Sequence, residues 1–450
     1  MSVPAIAVTG IAVRLSGASS IDGFWDNVTS DRDPFAPLPS ARFDPEIFVN
    51  DLPARKLRDV LGALVDDFEL DWRALRLPPA QVKHLHRVER LTLAVMGDAL
   101  TDSGHRPRSG PLDKGGIWMA ANSFGPDPWL DPMARIRRFE LAAPLHASLE
   151  VIAPARAAEI GDVIDRVSDL AAPPLEPDVL MISACIAAGR ASQIYDLRGG
   201  HLAIDAGMCS SMAAIHQATR ALQMGECDMA LVCATAPLVT PSNVLAFAHR
   251  GELGHERPRP FAPNAAGTIL GDGAVAVVLE RHDDVGRKRV YAVIEGLGYA
   301  VSPQDRTDAG LERCVAEAAG HALAQARLHA QDVSFIESRA AGVAAADRAE
   351  AEGLARAYKR STAVEPAHLT STVSNVGFLQ AASGLLALVK ASLAIHRRYW
   401  PGQSATIASI EPVAGIRVPH AADSWVGARR AAVSDAGPGG IAYHAILADP

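Results

Sequence analysis

A chain of 450 residues with 49% hydrophobic and 21% charged side chains has the make-up of a globular protein with a large core, built as two halves or as one α/β unit. Its net charge of −8 excludes nucleic acid as the main partner. Cys185, Cys209, Cys227, Cys233 and Cys314 are scattered in segments that read as buried, with no metal-ligand or disulfide spacing.

In chain order, Ala5–Thr9 is a short apolar run closed by Gly10, a buried strand. Residues 40–82 are irregular and read as a surface excursion. Val82–Ser103 has helical periodicity and stops at Gly104, whose missing side chain suits a C-terminal cap. Gly116–Ala120 reads as a strand, Arg156–Leu170 and Ala184–Tyr195 as helices, and His201–Asp205 as a strand. Cys209–Met224 reads as a helix and Met229–Cys233 as another strand.

Beyond a Pro/Arg-rich loop, Gly273–Glu280 and Tyr291–Leu297 are strands close enough in sequence to bring in antiparallel pairing. Thr307–Leu328, Ala344–Tyr358 and Leu379–His396 read as helices, with Ser334–Glu337 and Ile441–Leu447 as strands. Strands alternating with helices indicate an α/β fold with parallel pairing. No apolar run reaches bilayer length, and the start Met-Ser-Val-Pro-Ala carries no basic leader. The expectation is a cytoplasmic protein without membrane insertion. No metal, nucleotide or organic cofactor motif stands out, so none is expected.

Residues 204–216 read Ile-Asp-Ala-Gly-Met-Cys-Ser-Ser-Met-Ala-Ala-Ile-His. The stretch resembles the nucleophile segment of β-ketoacyl synthases, V-D-T-A-C-S-S-S-L-V-A-V-H. Gly10-Ile-Ala-Val-Arg14 with Phe24-Trp25 is similar to the family's opening motif, Ala188-Gly-Arg190 to its A-G-R, Gly225-Glu-Cys-Asp228 to its G-E-C-D, and Arg259-Pro-Phe261 to its R-P-F. Each match is weak alone; their shared order and spacing make the resemblance specific. It implies the thiolase fold: two pseudo-repeated βαβαβαββ halves in α-β-α-β-α layers, here residues 1–255 and 256–450. The first half carries an enlarged segment, 125–178, near the family's dimer interface and acyl tunnel.

The residues on which the family's chemistry depends are replaced. Without a gap, the nucleophilic cysteine position holds Met208, a thioether that has no proton to lose and cannot form a thioester. The first catalytic histidine, in E-A-H-G-T-G-T, aligns with Arg339 in Glu337-Ser-Arg339, and the second, in V-K-S-N-I-G-H, with Phe378 in Ser374-Asn375-Val-Gly377-Phe378. Arginine stays protonated and cannot shuttle a proton; it can hold a carboxylate or seal the old pocket against an acidic neighbour, with a surface or structurally paired arginine as the plainer reading. Phenylalanine cannot donate to an enolate oxygen. Cys209, one position on and turned by about 100° if helical, is the fallback nucleophile, with an inert core thiol as the blander reading.

The gating loop G-F-G-G aligns with Gly437-Pro438-Gly439-Gly440, and Pro438 and Gly439 are its tunnel residues. Phe247 falls where the family lines its pocket with an aromatic, though core packing is the simpler reading. The resemblance implies a non-catalytic, chain-length-factor-like partner of an active ketosynthase, as a heterodimer or else a homodimer, with Leu202 and Ile204 on the interface strand. Alternatives are a Cys209-dependent acyltransferase or thioesterase, and a homodimer that only docks acyl carrier protein. Arg135, Arg137, Arg138, Arg397 and Arg398 are the candidate carrier-docking residues; an ordinary solvated helix face explains them as well.

Overall fold

The computed structural model describes residues 4–40, 42–45, 57, 59–66, 68–105, 110–121, 140, 142–171, 184–236, 239–302, 307–359, 364–403, 415–419 and 421–450. The chain opens with β1 (Ile6–Leu15), α1 (Ile21–Thr29), β2 (Ala36–Pro37) and β3 (Leu61–Ala63). Next come α2 (Trp72–Leu75), α3 (Pro79–His84), α4 (Arg87–Asp102) and β4 (Gly115–Ala120). The helix α5 occupies residues 142–152. It is followed by α6 (Ala157–Ala171), α7 (Ala184–Tyr195), β5 (His201–Ile204), α8 (Ser210–Met224), β6 (Met229–Thr235), α9 (Pro241–His249), β7 (Leu270–Gly271) and β8 (Gly273–Arg281).

The remainder holds β9 (Ala292–Val301), α10 (Asp308–Ala326), β10 (Phe335–Ser338), α11 (Ala344–Ala357), β11 (Ala367–Ser371), α12 (Val373–Val376) and α13 (Ser383–Arg397). It closes with β12 (Tyr399–Trp400), β13 (Ile416–Arg417), β14 (Asp423–Ser424), β15 (Arg430–Gly437) and β16 (Ile441–Ala448).

Eleven strands run in the order β13-β11-β10-β15-β16-β9-β1-β8-β6-β4-β5. Apart from β13, which pairs parallel with β11 at the edge, the order is two matching five-strand sets. β5, β4 and β6 are parallel and lead through antiparallel β8 to β1. Likewise β11, β10 and β15 are parallel and lead through antiparallel β16 to β9. The sets are joined by a short β1–β9 pairing, Ile6–Val8 against Ala292–Ile294.

Helices α8 and α13 lie between the two sets, sharing one core with strand residues Val232, Val277, Val433 and Leu447. Helices α4 and α7 cover the outer face of the first set, and α10 and α11 that of the second. The result is α-β-α-β-α layering. Position explains composition: α13 is buried from Ser383 to Ile395, so it is apolar nearly all round rather than along one stripe.

Several expectations from sequence need correction. Gly10 does not close β1. The strand continues to Leu15 with a register shift between Val8 and Gly10, because a Cβ at Gly10 would lie 2.4 Å from the Ala99 carbonyl of α4; the glycine admits the helix. The helix read as Val82–Ser103 is broken at Leu85 and His86, where the backbone is extended. Gly104 follows its end at φ +82, the left-handed conformation a helix stop favours.

Strands β8 and β9 do not pair with each other; β1 lies between them and pairs antiparallel with both. The stretch 40–82 is not all surface excursion. Among its described residues, Phe43, Leu57, Val60 and Ala63 are buried, and β3 pairs with β2 and β7, so Phe43, Leu57, Val60 and Leu64 form a wall beside Phe247 and Phe378. Cys185 is exposed, because it sits off the α7 stripe Ala187, Ala188, Ala191, Ile194 and Tyr195 that faces the sheet.

Candidate functional site

Met208 sits in a tight loop ahead of α8. The Asp205 carboxylate accepts from the Gly207 N–H at 2.9 Å and the Ser210 hydroxyl from the Ala206 N–H at 2.9 Å. The Ser210 hydroxyl in turn donates to the Gly207 carbonyl at 2.6 Å. Gly207 has φ +59, the left-handed region that permits the turn. These contacts hold Met208 half-buried at the mouth of the helix while Cys209 becomes its N-cap, turned inward.

Arg339 follows β10, whose register carries on as its N–H bonds the Ser434 carbonyl at 3.1 Å. Its guanidinium Nη1 lies 3.5 Å from the Met208 thioether sulfur, and its Cζ sits 5.4 Å from the centroid of the Phe378 ring, within reach of a cation–π contact. Phe378 is placed by the turn at Gly377 (φ +77) and by backbone bonds to Ile269 and Gly271. Its ring meets Phe247 edge-on at 6.0 Å. Met208, Arg339 and Phe378, distant in sequence, thus converge.

The surroundings of Arg339 are acidic and buried. Its Nε stands 3.6 Å from Asp435 Oδ1, beyond hydrogen-bonding distance, and both Asp435 carboxylate oxygens are buried without a hydrogen-bond partner. Burial pushes the Asp435 carboxyl up to about 7, against the pull of Arg339 and with a push from Glu350. Burial likewise raises Glu350 to about 7, opposed by Arg339 and by hydrogen bonds from Ser338 and Ser434. Asp347 rises to about 6 through burial, although the N–H groups of Phe261, Ala341 and Gly342 donate to it at 3.1, 2.9 and 2.9 Å. One guanidinium therefore faces three carboxyl groups, two of which exchange protons near neutral pH. Arg339 is structurally paired and 8% exposed, not a surface residue.

Two cavities meet here. One of about 230 Å³ is floored by Arg339, Glu350 and Asp347 and walled by Met208 and Phe378. The other, about 650 Å³ and mainly apolar, is lined by Met208, Phe247, Asn243, Val301 and Ile441. Phe247 is buried in the core and lines both, so core packing alone does not describe it. Pro438 also lines both, and Gly439 the larger one, from the exposed turn between β15 and β16. Neither cavity is lined by a cysteine or a histidine.

Cys209 lies behind this surface. It is fully buried, and its Sγ donates to the carbonyls of Asp435 and Ile441 at 3.7 and 3.6 Å. Burial, then the Asp435 charge, pushes its thiol well above the ordinary value, with Arg339 offsetting only part. A thiolate is disfavoured there.

Of the other candidates, Leu202 (54% exposed) lies on β5, the edge strand of the sheet, and Ile204 is half-buried on the same strand. Arg397 is engaged within the chain: it pairs with Asp22 and stacks 5.2 Å from the Trp25 ring centroid, because α13 ends against α1. Arg398 is exposed and takes the left-handed cap of α13 at φ +55. Arg135, Arg137 and Arg138 lie outside the described residues. The described residues hold no cluster of metal-ligating side chains and no helix long and apolar enough to cross a membrane.

Sequence reasoning missed Asp435 and Glu350. A signal existed for the first: a lone acid inside the apolar strand Arg430–Gly437 must be buried and needs a partner.

Family models describe the same architecture. The β-ketoacyl synthase N-terminal domain matches residues 4–159 and 163–285, and the C-terminal domain residues 291–406. The chain belongs to the β-ketoacyl synthase family. Relatives include a phenolphthiocerol/phthiocerol polyketide synthase of Mycobacterium tuberculosis, 26% identical over 98% of this chain but 19% of the relative. A type I polyketide synthase of phenolphthiocerol synthesis from Mycobacterium marinum is 29% identical over 98% of this chain and 20% of its own length. The chain thus spans about a fifth of these relatives.

Among solved structures, the ketosynthase from module 6 of the bacillaene synthase of Bacillus subtilis superposes with a TM-score of 0.79 at 22% identity, over 99% of this chain and 72% of that one. A ketosynthase–chain length factor, PfaC, gives 0.83 at 22% identity, over 99% and 48%. At such identity these structures support the thiolase fold alone.

Proposed function

We propose that this ketosynthase-family chain is non-catalytic and acts as a chain-length-factor-like partner of an active β-ketoacyl synthase, shaping the acyl tunnel in polyketide or specialised fatty-acid assembly. One observation carries the reading. Where the family needs a thiolate and two imidazoles, a thioether, a guanidinium and a phenyl ring converge, and the guanidinium is held by buried carboxyl groups. None of these three side chains can be acylated as a thiol is, and none exchanges a proton in the working range. The larger cavity, with its apolar lining, is suited to shaping space for an aliphatic chain.

In this reading the active ketosynthase pairs along β5 through Leu202 and Ile204, giving a heterodimer, with a homodimer as the alternative; acyl carrier protein is a partner of the assembly, and the compartment is the cytoplasm. In the same reading the halves divide at residue 255, and β8, beyond that point, pairs back with β1 and β6. The buried, proton-retaining Cys209 speaks against the acyltransferase or thioesterase alternative.

The test is incubation of the purified chain with acyl- and malonyl-carrier protein. We expect no ketide, no decarboxylation and no covalent adduct by intact mass, together with co-purification when an intact Cys-His-His ketosynthase is co-expressed. An acyl adduct on the isolated chain would overturn the reading.

A further inference from the structure

Between β4 and α7 the chain builds a two-helix hairpin from α5 and α6. The helices meet where a Cβ on Gly161 would lie 2.7 Å from the His146 ring, and His146 Nε2 reaches Asp165 Oδ1 at 3.2 Å. Gly161 is the one buried position among the described residues of this hairpin.

The apolar content exceeds what that contact covers. In α6, Ile160, Val163, Ile164 and Val167 recur at helical spacing. Ile160 and Ile164 are half-buried, whereas Val163 and Val167 are 46% and 59% exposed. In and after α5, Leu145 is 49% exposed and Val151 and Ile152 are each 81% exposed. Five of the ten exposed large hydrophobic side chains among the described residues thus lie in this one hairpin. Such clustering on a surface marks a contact site.

Charge says what covers it. Glu140, Glu150, Glu159, Asp162 and Asp165 are exposed, against Arg156 and Arg166. Arg156 is already paired with Glu159 at 3.2 Å, and Glu140, Glu150 and Asp162 have no ion pair among the described residues. A second copy would bring the same acidic rim, an acidic carrier domain would be repelled, and an anionic bilayer likewise. A basic amphipathic helix offers both complementary charge and an apolar stripe.

We propose that the α5–α6 hairpin is a docking arm for a basic amphipathic helix of a partner polypeptide. No described residue of the hairpin lines either cavity, so the inference does not depend on the chain being non-catalytic.

The full chain is titrated, by fluorescence anisotropy at low salt, with a synthetic Lys/Leu amphipathic helix and with a Glu/Leu helix of the same pattern. The Lys/Leu helix should bind, and the Glu/Leu helix should not. Val163→Ser with Val167→Ser, which keeps every charge, should weaken binding at least tenfold. Glu150→Gln with Asp162→Asn, which keeps every apolar contact, should weaken it severalfold and flatten its salt dependence. These positions are exposed, so circular dichroism should be unchanged.

Binding that ignores the serine pair, or equal binding of both peptides, overturns the proposal. So does a dimer of the chain that the serine pair dissolves in light scattering, or binding to phosphatidylserine vesicles in place of the peptide.

Discussion

Two buried ion pairs begin two residues apart, one on a strand and one just past its end, and have opposite characters. Glu337 of β10 meets Lys390 of α13 at 2.7 Å. The Thr370 hydroxyl accepts from Lys390 at 3.0 Å and donates to the same Glu337 carboxylate oxygen. Arg339, just beyond β10, stands 3.6 Å from Asp435 without a hydrogen bond, beside an open cavity. The first pair ties the second half-sheet to the central helix layer. The second balances charge at the candidate site. Distance and hydrogen bonding, not burial, separate architecture from a remodelled site.

The sharpest way to break this comparison is Lys390→Met. It strands a buried carboxylate, and removing one partner of such a pair costs about 3–5 kcal/mol. Urea unfolding should show that loss, and a loss below about 1 kcal/mol would place both pairs in one class.

Arg339→Met should cost less, roughly 2 kcal/mol at pH 8 and little at pH 5. Asp435 and Glu350, already near 7, can take up protons once the cation is gone. An equal cost at both pH values would contradict this.

The unaltered chain carries the same signature more weakly. The folded pKa values of Asp435 and Glu350 lie above their ordinary values of 3.8 and 4.5. The folded state therefore holds more protons between those limits, and this share of stability is present below the ordinary carboxylate range and lost as pH rises to about 7. Asp435→Asn should reduce that fall by about 1–2 kcal/mol in thermal or urea melts; an unchanged slope would remove Asp435 as its source.

Smallest of all is the effect at Cys209. Cys209→Ala should cost about 1 kcal/mol, as a modest core truncation does. Iodoacetamide on the native chain, read by peptide mapping, should label exposed Cys185 and leave Cys209 untouched. Native labelling of Cys209 would reopen it as a nucleophile.

The contrast between the two pairs also marks what could be read in advance. Met208, Arg339 and Phe378 were legible because each sits in a motif whose neighbours survive: Ser210-Ser211 after the first, Glu337 before the second, Ser374-Asn375 before the third. Asp435 and Glu350 sit in no such frame, and nothing local shows that β15 and α11 bring them to Arg339. The strand β15 itself, Arg-Ala-Ala-Val-Ser-Asp-Ala-Gly, went unread because small residues give little periodic signal. The wall around β3 was misread because that short strand pairs with β7, some 200 residues away.

By itself the amino-acid sequence determined the α/β class, the order of most elements and the motifs that carry Met208, Arg339 and Phe378. Those follow from local periodicity and from which atoms each side chain owns. Only the tertiary structure decided that Arg339 is buried against three carboxyl groups, that Cys209 turns away from both cavities, and that five of the ten exposed large hydrophobic side chains among the described residues stand on one acidic hairpin. Burial, proton affinity and surface exposure are set by neighbours distant along the chain, which are fixed only when the layers pack.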